Sequence, residues 1–96
     1  MALNGVAEVY VGKKAVMNYV SACLTLFHNG AKEVVIKARG KSISKAVDVV
    51  RILRENFIRN IKIENIEIGT EIIAGRNGKP LSLSTISIRL TREGSV

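Results

Sequence analysis

The sequence predicts an α/β chain of the two-layer α+β type: order β-α-β-α-β-β, a four-stranded mixed sheet, two helices on one face and a long closing hairpin. Three observations carry this. Twice, a short β-branched run is followed by a basic turn and then by apolar residues at helical spacing. The last third instead alternates isoleucines and leucines with polar residues on both sides of Asn77-Gly78, a tight-turn signal. And 96 residues, 47% of them hydrophobic, suffice for one modest core, so residues 1–96 are read as a single domain.

Residues 1–6 show no pattern and are expected to form a loose terminus. Ala7 to Val11 alternates as a first strand, with Val9 and Val11 on one side and Glu8 and Tyr10 on the other. Gly12-Lys13-Lys14 breaks it. From Ala15, the spacing of Val16, Val20, Cys23, Leu24 and Phe27 predicts a helix ending near Asn29-Gly30. A second strand is expected over about 32–38, including the apolar run Val34-Val35-Ile36.

A second helix is expected over about 43–58, with Ile43, Ala46, Val47, Val50, Leu53 and Phe57 recurring along it and Ser42 as its N-cap. Val49 and Ile52 widen that stripe beyond what one sheet face requires, which points to a subunit contact on this helix. In the hairpin, Ile61 and Ile63 lie on odd positions but Ile66, Ile68 and Ile72 on even ones. The returning arm changes phase between Leu83 and Ile86. A one-residue slip exchanges the faces of a strand, so a bulge or bend is expected near Glu64-Asn65 and another near Ser84-Thr85.

Charge is the compositional outlier: 15 Lys+Arg against 8 Asp+Glu, formal net charge +7, pI about 10.0. It is also clustered. Lys37, Arg39, Lys41 and Lys45 fall within nine residues, and no acid lies between Glu33 and Asp48. These cations stand where a strand ends and a helix begins, and a helix N-terminus adds partial positive charge and unpaired N–H groups. Lys13 and Lys14 hold the equivalent position after the first strand. Crossover units bring such loops to one edge of a sheet, so the two basic loops are expected to be neighbours. Arg76, Asn77 and Lys79 cluster at the hairpin tip, an arm suited to a nucleic-acid groove. Clustered cations of this kind point to a polyanionic partner held through its phosphates.

Catalysis finds little support. His28 is the one histidine and Cys23 the one cysteine, the latter on the apolar stripe of the first helix. No carboxylate pair, metal-ligand cluster or spaced-glycine phosphate loop occurs, so no cofactor and no metal are expected. Aromatics number four, of which only Tyr10 suits base stacking, so recognition through stacked bases is not expected. No apolar run approaches a membrane span and no basic-then-apolar leader is seen, which gives an expectation of a cytoplasmic protein without membrane contact.

With these residues in hand, the chain resembles the Alba family of archaeal chromatin proteins. The matching segments are residues 11–20 (VGKKAVMNYV), 35–41 (VIKARGK) and 43–48 (ISKAVD), with weaker support from 66–70 and 84–86. The resemblance implies a homodimer on double-stranded DNA with little sequence preference, RNA as a further ligand, and a place on the chromosome or nucleoid. It implies that Lys13 and Lys14 contact nucleic acid, with Lys13 open to acetylation, which would remove a cation. Arg39 and Lys41 match the second basic loop, and Arg76 and Lys79 the hairpin that enters a minor groove. Phe57 matches an aromatic used where dimers associate along DNA, with Arg54 beside it. Ala15 stands where many members have proline, and Glu55-Asn56 replaces a more basic pair.

The expected function is therefore architectural: a non-enzymatic, sequence-independent homodimer that coats and compacts double-stranded DNA. One alternative is an RNA-binding subunit of an RNA-processing particle. The other is a protein, enzyme or regulator, binding a phosphorylated metabolite at the helix N-termini.

Overall fold

A computed structural model describes residues 5–93; residues 1–4 of the expected loose terminus lie outside the described residues. The order is β1 (Val6–Tyr10), α1 (Val16–His28), β2 (Glu33–Arg39), a 3-10 turn (Gly40–Ser42), α2 (Ile43–Asn56), β3 (Ile61–Ala74) and β4 (Pro80–Arg92). The strands form one mixed sheet in the order β1-β2-β4-β3. The β1/β2 pair is parallel; β4 runs antiparallel to both β2 and β3. This is the architecture the periodicity predicts.

Cross-strand partners share a face of the sheet. Val9, Ile36, Ile88 and Ile66 therefore stand in one row, and Ala7, Val34, Leu90 and Ile63 in the next. Both helices pack on this face. Val20, Cys23 and Phe27 of α1 and Ala46, Val49, Val50 and Leu53 of α2 join Val34, Ile36, Ile88 and Leu90 in a single core. Of β3, only Ile61 is fully part of it. The helices thus cover β1, β2 and β4, while the outer length of β3 runs past them.

That arrangement corrects one expectation. Val49 is wholly buried within the chain and Ile52 packs against the core, so the extra apolar width of α2 is used internally. Apolar surface is exposed at Val47 of α2 and, in a longer strip, on β3, where Ile66, Ile68 and Ile72 are 53%, 83% and 69% exposed on the helix-bearing side.

The hairpin carries one bulge, not two. Register shifts between Ile63 and Asn65, so Glu64 is the extra residue, and Ile61, Ile63, Ile66 and Ile68 stay on one face despite their change of parity. In β4, pairing runs without interruption from Pro80 to Arg92. Leu81 and Leu83 simply face the other way, opposite Ile73 and Glu71, because beyond the helices neither face has a core to meet.

Local chemistry sets the ends. Helix α1 closes as a Schellman motif: Gly30 N–H donates to Phe27 O at 3.1 Å and Ala31 N–H to Leu26 O at 3.0 Å, with Gly30 at φ +101°, a region that favours glycine. Ser42 does not act as expected. It lies in the helical region (φ −85°, ψ −4°) as the last residue of the 3-10 turn, and its side chain makes no capping bond. The chain turns at Gly40 instead (φ +56°), where the Leu83 side chain packs close by. Helix α2 stops at Asn56, two residues short of the expected end, where the N–H groups of Phe57 and Ile58 both turn back to Leu53 O.

Candidate nucleic-acid interface

Residues 12–14 leave β1 without regular structure, yet their backbone is tightly held. The Tyr19 hydroxyl, one turn into α1, accepts from Gly12 N–H at 2.9 Å and from Lys14 N–H at 3.0 Å. From the other side Lys45, in the first turn of α2, donates through Nζ to Gly12 O at 2.8 Å and Lys14 O at 2.7 Å. Two donors and two acceptors of one short loop are thereby satisfied by two side chains. Lys13 and Lys14 project from this braced segment, both exposed and without a carboxylate in ion-pair range among the described residues.

The link through Lys45 also makes the two basic loops neighbours, as crossover topology predicts. Lys41, on the 3-10 turn, is exposed and has no acidic partner among the described residues. Arg39 is exposed too, but its Nη1 lies 2.5 Å from Glu71 Oε2 on the hairpin.

Lys37 belongs elsewhere. It stands on the helix-free face of the sheet, 3.0 Å from Glu8 and 5.8 Å from the centroid of the Tyr10 ring. The hydrogen bond from Lys37, with a second from the Tyr10 hydroxyl, holds the Glu8 carboxyl below its ordinary range, and Glu8 in turn raises Lys37. Arg89 pairs with Glu33 on the same face. The cations of this face are therefore neutralised in place, whereas those of the strand-to-helix loops, Arg39 apart, are displayed.

Arg76, Asn77 and Gly78 form the hairpin tip. Gly78 N–H donates to Gly75 O at 3.0 Å and Gly75 N–H to Lys79 O at 2.7 Å, a three-residue loop closed by the Gly75/Lys79 pair. Arg76 and Lys79 are exposed and unpaired among the described residues. The last β2/β4 pair is Arg39 with Thr85, and β4 continues with β3 alone from Ser84 to Pro80, so the arm carries this tip outward from the same end of the sheet as the basic loops.

Phe57 caps the C-terminus of α2 and is 48% exposed, with Arg54 exposed in the turn before it. Glu55 is engaged by Arg51 at 3.2 Å. Among the described residues no group of three or more His, Cys, Asp or Glu is placed to hold a metal, and no helix is long and apolar enough to cross a membrane. Cys23 is buried, which pushes its thiol up to about 12.

Sequence reasoning missed Tyr19 and Glu71. Tyr19 had a usable signal: an amphipathic side chain, one turn into the helix, directly after a loop whose backbone needs partners. Glu71 had none, because its partner Arg39 is 32 residues away and becomes a neighbour only through the hairpin.

Comparison with known proteins agrees with this architecture. The family model described as Alba matches residues 7–70. A DNA/RNA-binding protein Alba from Methanocella arvoryzae is 48% identical over 84 residues, covering 88% of each chain. One of the same description from Methanococcus maripaludis is 51% identical over 83 residues, covering 85% of this chain and 93% of the relative. Among solved structures, Alba from Thermoplasma volcanium superposes with a TM-score of 0.85 at 49% identity, covering 88% of this chain and 99% of that one. ALBA1 from Trypanosoma brucei gives 0.74 at 27% identity, covering 88% and 68%. The chain belongs to the Alba family.

Proposed function

We propose that this chain is a non-enzymatic, architectural nucleic-acid-binding protein that coats double-stranded DNA, and binds RNA, without reading base sequence. The observation that carries the reading is the segregation of its cations. On the open sheet face Lys37 and Arg89 are paired with carboxylates, while Lys13, Lys14, Lys41, Arg76 and Lys79 stand exposed and unpaired among the described residues. Displayed cations on backbone loops contact phosphates, which supplies affinity without sequence preference. The relatives' description as DNA/RNA-binding proteins supports the same reading.

The working unit is a homodimer. Ile66, Ile68 and Ile72 form an apolar strip on β3 that its own helices leave bare, and a second copy supplies a matching strip. Full burial of such side chains contributes about 1.5–3 kcal/mol each. Pairing also doubles the formal charge to +14, twice +7, with two sets of basic loops on one particle. Phe57, with Arg54, provides the contact between dimers along a duplex, and acetylation of Lys13 weakens phosphate binding by removing its charge. Such a protein resides on the chromosome in the cytoplasm.

The test is titration of matched DNA and RNA duplexes of several sequences across salt concentration. Comparable affinity for all DNA duplexes with a steep salt slope supports the proposal. A marked preference for RNA assigns the protein to an RNA-processing particle instead. Weak binding to both at low salt refutes the interface.

A further inference from the structure

The deepest-set feature of the basic surface is not a displayed cation but the pair of side chains that hold the loop from within. A lysine set out to bind phosphate keeps its ammonium in water. Lys45 does otherwise: it is half-buried, and two of its three protons go to Gly12 O and Lys14 O. Tyr19 complements it, with its hydroxyl taking the N–H groups of the same two residues. Gly12 and Lys14 are therefore each gripped through both backbone groups, and Lys13 lies between two fixed points.

We propose that Lys45 and Tyr19 are positioning residues for nucleic-acid binding: they lock the backbone of residues 12–14 so that Lys13 and Lys14 meet the phosphates already ordered, and Lys45 makes no phosphate contact of its own. The inference rests on the interface reading above and deepens it. Its physical basis is pre-organisation. A loop fixed before encounter does not lose its freedom on binding, so more of the electrostatic attraction is realised as affinity. Residue 15 is alanine, whose backbone carries no ring to restrain it, and the two side chains stiffen the loop through hydrogen bonds.

The roles separate experimentally because contact and positioning leave different marks on salt dependence. Removing a lysine that neutralises a phosphate reduces the slope of log K against log salt by about 0.9. Removing a brace lowers affinity and leaves the number of phosphates contacted unchanged.

The experiment measures binding of the full chain to a short DNA duplex across salt concentration, for Lys45→Met, Tyr19→Phe and the pair Lys13→Ala with Lys14→Ala. Each brace variant is also made in the double-alanine background. Circular dichroism and thermal midpoints set a temperature at which every protein compared is folded. The expected result is a loss of roughly three- to tenfold for each brace variant, on the scale of ordering one or two side chains. The slope stays unchanged, and the loss disappears once Lys13 and Lys14 are alanine. A fall of about 0.9 in slope for Lys45→Met would make it a phosphate contact, and would overturn the proposal. So would unaltered affinity, or a loss that persists in the double-alanine background. Should Lys45→Met fail to fold, Tyr19→Phe, which keeps the ring and deletes only the hydroxyl, carries the same test. Failure of the parent reading looks different: the double-alanine protein itself would bind as tightly as the unaltered chain.

Discussion

Arg39 and Glu71 meet at 2.5 Å, although one closes β2 beside the basic loops and the other lies on the outer arm of the hairpin. Both side chains are about half exposed, so the pair is screened by water and worth no more than about 1 kcal/mol to the fold. On the proposed interface its effect on binding is larger in kind, because Glu71 occupies a guanidinium that would otherwise be open to phosphate. Glu71→Gln is therefore expected to tighten duplex binding about two- to fivefold, to steepen the salt slope by up to about 0.9, and to change thermal stability little. Fluorescence anisotropy across salt measures both. An unchanged slope would mean that Arg39 does not reach the phosphates.

The bare strip of β3 makes a second prediction. Ile68 is 83% exposed and makes no contribution to the chain's own core, so Ile68→Asp is expected to leave the fold intact and to abolish self-association. Sedimentation velocity should show a monomer for the variant and a dimer for the unaltered chain. Duplex affinity should fall with it, since half the displayed cations leave the particle.

Ala15 sits at φ −66° and ψ 151°, close to the angle a proline ring imposes, and its N–H makes no backbone hydrogen bond among the described residues. Ala15→Pro is expected to stabilise the protein by about 0.4–1 kcal/mol by restricting the unfolded chain, or roughly 2–8 °C in thermal midpoint. Calorimetry decides it. A lower midpoint would show that the ring strains the turn from Lys14.

Cys23 is fully buried among core residues, and its thiol is pushed up to about 12 by that burial. In the native protein it is expected to resist alkylation at neutral and mildly alkaline pH, where the reactive thiolate is scarce and the sulfur inaccessible. It should react promptly once denaturant is added. Mass spectrometry of iodoacetamide-treated protein makes the comparison, and rapid labelling without denaturant would contradict the packing described.

Much of this is legible in the sequence alone. Val34-Val35-Ile36, the Ala46–Leu53 stripe and the Asn29-Gly30 stop specify their elements through local periodicity and backbone freedom, and local signals need no partner to be read. Lys13, Lys14 and Lys41 are readable as cations at strand-to-helix joins for the same reason. What escaped was pairwise. Lys37 counts as one more cation in sequence, but across the sheet it is held by Glu8 of a neighbouring strand. Lys45 reads as a helix-start cation, yet its ammonium is spent on carbonyls 31 and 33 residues away. The change of phase in β4 reads as a bulge only if the whole strand is assumed to face a core, and its outer half faces none.

The bulge at Glu64 has a consequence for how the hairpin can change in length. β3 has 14 residues and β4 has 13, and the one residue of difference is what keeps the inner and outer isoleucines on the same side. Between the bulge and the tip the arms therefore obey a parity rule. Lengthening both by two residues would preserve every face, whereas inserting or deleting one would turn the strip of β3 onto the opposite side of the sheet. The tip at residues 75–79 is under no such rule. Variation in the reach of the arm is expected there, where a residue can be gained without exchanging inside for outside.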